Sequence, residues 1–154
     1  HECADLALTA SDIFALPPSL APIALQASQK VIITPDKDQN DNERAKEAEK
    51  IRQLSEMGYL RRFRIGKRLF YTTLSILEIQ RIRALSPYER EIALVVMKRQ
   101  NIMPEEIIKD LIDLELVPPR SAEFSKILES LIQKSLIQKT KDGAIRYCRL
   151  NELV

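Results

Sequence analysis

Histidine is all but missing: the chain of 154 residues has one, His1, at its first position. That shortage excludes a credible histidine base, a histidine-paired nucleophile and a histidine-containing zinc site. Glycine is nearly as scarce. Gly58, Gly66 and Gly143 are the whole supply, each falls where a helix end or a hairpin turn needs it, and none is left for a phosphate-cradling loop. The two cysteines, Cys3 and Cys148, lie far apart and match no metal spacing, so two free thiols in a reducing compartment are expected. No apolar run approaches the roughly 18 residues of a bilayer span, and residues 1–30 lack the basic start and apolar block of a secretory signal. The expectation is a cytosolic, nucleoid-associated protein with no catalytic residue, no cofactor and no metal. A first residue other than methionine points to a fragment or processed chain, with His1 as a tag remnant.

What is present is a composition 45% hydrophobic and 30% charged, that of a soluble globular protein. The length suits one ordinary domain or two very small ones. The net charge of +2 hides an uneven distribution. Residues 1–42 carry six acids and two bases, residues 43–85 eleven bases and five acids, and residues 86–154 eleven of each. Basicity concentrated in a middle segment predicts a local anion-binding surface.

Two stretches share one grammar of helix, strand, glycine turn and strand. In the later one, Ser121 is placed to cap a helix whose apolar positions Phe124, Ile127, Leu128, Leu131 and Ile132 recur at helical spacing. Residues 136–140 then read as a strand, Lys141-Asp142-Gly143 as a turn and residues 144–150 as the returning strand. In the earlier one, residues 43–57 read as a helix, Gly58 as its left-handed end, residues 59–65 as a strand, Gly66-Lys67 as a turn and residues 68–73 as the return. Between them, residues 74–85 predict a joining helix. Ser86-Pro87-Tyr88-Glu89 is a capping box that opens a helix to about Gln100. Residues 104–116 predict another, burying Ile107, Ile108, Leu111 and Ile112 and ended by Pro118-Pro119. Upstream, residues 9–16 and 20–29 read as short helices, 31–34 as a strand and 35–42 as a polar linker.

Helix, helix, helix, hairpin over residues 86–154, carried by FSKILESLIQKSLIQKTKDGAIRYCRL, resembles the winged helix-turn-helix of small bacterial regulators of the ArsR and MarR type. IRQLSEMGYLRRFRIGKRLFYTTLSILEI, residues 51–79, resembles the wing and following helix of excisionase-like and MerR-like winged helices. The resemblance implies an α+β, mainly α protein of tandem winged-helix domains, residues 1–85 and 86–154.

The sharpest local feature is a run of five bases, Arg61, Arg62, Arg64, Lys67 and Arg68, within eight residues and uninterrupted by acid. Strand alternation puts Arg62 and Arg64 on one face and Phe63 and Ile65 on the other, so the apolar residues anchor a ribbon whose guanidiniums project to phosphate or a minor groove. The competing reading is an edge strand protected from aggregation by charge. In the later domain Arg120, Ser121, Ser125, Lys126, Ser130, Gln133 and Lys134 lie off the apolar stripe and are expected to face DNA, with Lys139, Lys141 and Arg146 on the wing. Glu123 and Glu129 share that helix and would repel phosphate, so a protein-interaction face competes there.

The acidic loop offers a weaker signal. Asp36, Asp38, Asn40 and Glu47 match part of a calcium-loop spacing, with Asp41 where the turn glycine should stand. VIITPDKD also resembles the strand and paired aspartates of Toprim domains, which bind magnesium, but the glycine that follows them there is absent. A linker loop is the expectation. The sequence therefore predicts a non-enzymatic protein that binds double-stranded DNA, as part of a regulator, replication or mobile-element system, alone, as a homodimer or in a larger assembly. The alternative is a winged-helix scaffold for protein interactions in chromosome segregation, replication or transcription.

Overall fold

The computed structural model describes residues 10–29, 31–33, 40–116 and 120–149. The protein is α+β and mainly helical, with seven helices and two small antiparallel sheets among the described residues. Two compact units, His1–Ile79 and Gln80–Val154, divide the chain. Among the described residues no helix is long and apolar enough to cross a membrane.

The first unit opens with α1 (Ala10–Ala15) and α2 (Ala21–Gln29), which flank Pro17-Pro18. A two-residue strand, β1 (Ile32–Ile33), follows, then α3 (Asp41–Glu56), β2 (Arg61–Ile65) and β3 (Arg68–Thr72). Helix α3 starts inside the polar run expected to be a linker, because the Asn40 side chain accepts from the Glu43 N–H at 2.8 Å and caps it. Asp36 and Asp38, the leading residues of the supposed metal loop, lie outside the described residues. Leu16, Leu20, Ala24 and Ala27 meet Ile51 and Leu54 of α3, with Ile33 and Leu60, in one buried cluster. Each such aliphatic side chain larger than alanine contributes roughly 1.5–3 kcal/mol by leaving water. The sheet order is β1-β3-β2. Thr72, fully buried, locks β1 to β3: its hydroxyl donates to the Val31 carbonyl at 2.6 Å and accepts from the Leu74 N–H at 3.0 Å.

Helix α4 (Ile76–Arg83) runs across the boundary between the units. Its start is a capping box: the Glu78 N–H donates to Ser75 Oγ and the Ser75 N–H to Glu78 Oε1, both at 3.2 Å. The second unit then has α5 (Pro87–Arg99), α6 (Pro104–Asp113), α7 (Ser121–Gln133), β4 (Ile137–Lys139) and β5 (Ile145–Tyr147). Six consecutive residues of α5, Ile92 to Met97, are buried, because α6, α7 and β5 all pack against that helix. Ile102, between α5 and α6, bridges Ile145 through reciprocal backbone hydrogen bonds of 2.9 and 2.7 Å. The second hairpin strand thus has a neighbour on each side, as in the first unit.

Several expected boundaries shift. Helix α6 stops at Asp113, short of the prolines, because Glu115 turns left-handed (φ +61°) and its N–H and that of Leu116 satisfy the Ile112 and Leu111 carbonyls. Ile107 and Leu111 are buried as expected, but Ile112 is 54% exposed. Ser121 is the first residue of α7 and not its cap, a position held by Arg120. Ile132, expected on the buried stripe, is exposed.

The repeated grammar is present as structure. In α3 the Tyr59 N–H reaches the Leu54 carbonyl and Gly58 that of Ser55; in α7 Leu136 reaches Leu131 and Ser135 reaches Ile132. Gly58 (φ +89°) and Ser135 (φ +60°) hold the same left-handed position at the two helix ends. A hairpin follows in both cases. The turns differ in length: Ile65 pairs with Arg68 around Gly66-Lys67, whereas Thr140 and Ala144 enclose Lys141, Asp142 and Gly143. The first, with positive φ at Gly66 and not at Lys67, has the pattern of a type II′ turn, and the second places its glycine in the left-handed third position of a bulged loop.

Candidate nucleic-acid interface

The five bases expected to act together stand on a ribbon with two distinct faces. Phe63 pairs with Phe70 in register and their rings stack at 5.3 Å, both buried. Alternation places Arg61 and Arg68 on this aromatic face, where both are half-buried and the Arg68 guanidinium lies over the Phe70 ring at 5.1 Å. The opposite face carries Arg62 and Arg64, both exposed, paired across the ribbon with Tyr71 and Leu69. Lys67 is exposed at the turn. Arg62, Arg64 and Lys67 are thus the cations that present themselves to a large ligand, while Arg61 and Arg68 double as packing groups along the aromatics. Tyr71 packs against the buried cluster of the first unit, which anchors the root of the ribbon.

Charge on α3 is arranged differently. Arg52 binds both Glu49 and Glu56 along one helical face, and the guanidinium holds the Glu49 carboxyl below its ordinary value, chiefly through their hydrogen bond. Asp41, Glu43, Glu49 and Glu56 are all exposed. Lys46 and Arg52 are exposed as well, so the open surface of the helix before the basic ribbon carries four acids and two bases.

In the second unit Arg120, Ser121, Ser125, Lys126 and Gln133 are exposed along α7, with Glu123 and Glu129 exposed among them. Lys139 and Lys141 are exposed on the second hairpin. Arg146 is half-buried and sits opposite Gln138 in register; with the amide oxygen turned toward it, Gln138 accepts from Nη2 at 2.8 Å. Lys134 has a different occupation. Its ammonium donates to both oxygens of Glu89, at 3.1 and 2.8 Å, and the Ser130 hydroxyl donates to the same carboxylate at 2.8 Å. Ser86 adds its hydroxyl at 2.8 Å and its N–H at 3.4 Å. Burial alone would raise the Glu89 carboxyl, but the hydrogen bonds from Lys134, Ser130 and Ser86, with the charge of Lys134, outweigh it and hold the pKa at about 2.

This carboxylate joins the start of α5 to the end of α7. The capping-box motif gave its link to Ser86, but no local pattern could have given partners 41 and 45 residues away. A second long-range tie also lay outside sequence reasoning: Arg81 donates to the Tyr147 hydroxyl at 3.0 Å and to the Cys148 carbonyl at 3.1 Å. Cys148 is buried.

No protein-family model, no curated protein and no solved structure matches the chain.

Proposed function

We propose that the chain is a pair of winged-helix units that binds double-stranded DNA, with the basic ribbon as its principal contact. The observation that carries this reading is the exposed set Arg62, Arg64 and Lys67 on a ribbon rooted by buried Phe63 and Phe70. Guanidinium and ammonium groups held on a rigid support suit phosphate oxygens, and their release of condensed counterions supplies affinity. The winged-helix reading draws support from the order of elements: each unit has a helix ending in a left-handed turn, a hairpin after it, and an upstream segment paired to the second hairpin strand. In this reading the chain is a binding module, with no chemistry of its own, in a regulatory, replication or mobile-element system.

Titration of a fluorescent duplex of arbitrary sequence across a salt series tests it. Three phosphate contacts give a slope of log affinity against log salt of about −2.7. Absence of binding at low salt, or binding indifferent to salt, would remove the proposal.

One observation favours the protein-scaffold alternative. Phe14 is 90% exposed on α1, beside an open apolar groove of about 440 Å³ lined by Ile13, Leu16, Pro18, Ala21 and Leu25. Such a surface suits a protein partner more than a polyanion.

A further inference from the structure

Resting on the DNA-binding reading, we infer that the ribbon grips duplex DNA through its phosphates alone, so that the protein binds double-stranded DNA without regard to sequence. The two helices that precede hairpins, α3 and α7, hold the place of a groove-entering helix in the winged-helix reading, and neither presents an excess of positive charge. The exposed surface of α3 carries Asp41, Glu43, Glu49 and Glu56 against Lys46 and Arg52, and Arg52 is engaged by two of these acids. On α7, Glu123 and Glu129 are exposed on either side of Lys126, and Arg120 at the N-cap brings the exposed charge only to balance. A carboxylate carried between two phosphate rows is repelled by both, and at the base edges it finds a donor chiefly on cytosine.

The ribbon has the opposite character. No acid stands between Glu56 and Glu78, and neither does any asparagine or glutamine, the side chains that read adenine by paired hydrogen bonds. Arg62 and Arg64, two positions apart on one strand face, are separated by about 6.8 Å of strand rise, a spacing comparable with that of successive phosphates on one DNA strand. Lys67 at the turn adds a point charge with no directional requirement. At base edges this set could pair only with guanine, through its arginines, and guanidiniums spaced to meet successive phosphates are taken up by the backbone, where contacts fix position and carry no sequence.

The test is competition anisotropy with the unmodified chain and three duplexes of equal length, one of A·T pairs only, one of G·C pairs only and one mixed, each at several salt concentrations. Affinities within about tenfold of one another, with a common salt slope, are expected, because specific recognition separates target from non-target by about a thousandfold or more. A preference above tenfold for one duplex would overturn the inference and leave the DNA-binding reading standing, with base readout added. Failure of all three to bind would overturn the reading on which the inference rests.

Discussion

Replacing Arg62, Arg64 and Lys67 together by glutamine is expected to reduce affinity for duplex DNA by roughly a hundredfold or more at 0.1 M salt, and to flatten the salt slope by about 2.7. The same exchange at Lys126, Lys139 and Lys141 is expected to cost less than about tenfold. Each variant loses three positive charges, so an effect of net charge alone would be equal in the two. The difference arises from surroundings: the first three stand in a stretch free of acid, whereas Lys126 shares α7 with Glu123 and Glu129, and Lys141 adjoins Asp142. Arg61 and Arg68 are left in place because they pack along the aromatic face, and Lys134 because it holds Glu89. Circular dichroism should show both variants folded, since Phe63, Phe70 and Tyr71 keep the ribbon rooted. Equal losses would reduce the ribbon to generic charge, and no loss in either would favour the scaffold reading.

The second large effect concerns stability. The Glu89 carboxyl, at about 2 in the folded protein against an ordinary 4.5, contributes stability that is fully present above pH 4.5 and is lost as pH falls from there toward 2. The shift corresponds to about 3 kcal/mol, and the half-exposed Lys134 partner reduces this to an order of 2 kcal/mol. Glu89→Gln should therefore lower the unfolding temperature of the second unit by on the order of 10 °C at pH 7. At pH 2 the difference between variant and parent should nearly vanish. Thermal melts across pH check this, and a difference independent of pH would contradict the charged network. Affinity for DNA should be unaffected, since Glu89 has no place in the proposed interface.

Much of the architecture was legible because it is locally encoded. Gly66 and Gly143 mark turns whose positive φ penalises other residues, Gly58 ends a helix for the same reason, and Ser86-Pro87 with Glu89 announces a helix start. The faces of the ribbon follow from period-two alternation, so the separation of Arg62 and Arg64 from Phe63 and Ile65 was readable. What the sequence concealed depends on neighbours distant in the chain or on residues accepting an unfavoured conformation. Glu115 and Ser135 occupy left-handed positions without being glycine, so the end of α6 was misplaced by three residues. Helical periodicity put Ile112 and Ile132 on buried stripes, yet both lie at the stripe edge and reach solvent. Lys134 read as a free surface cation because the carboxylate that binds it lies 45 residues away. Among the candidate contacts, the half-burial of Arg61 and Arg68 was the least readable, since it depends on what covers the aromatic face.

Amide chemical-shift mapping of the unmodified chain on addition of a short duplex tests the central claim most directly. The account predicts that the largest changes fall on residues 61–69, with α3 and the exposed face of α7 little affected. Changes concentrated on α7 or on the apolar surface of α1 and α2, with the ribbon unmoved, would contradict it.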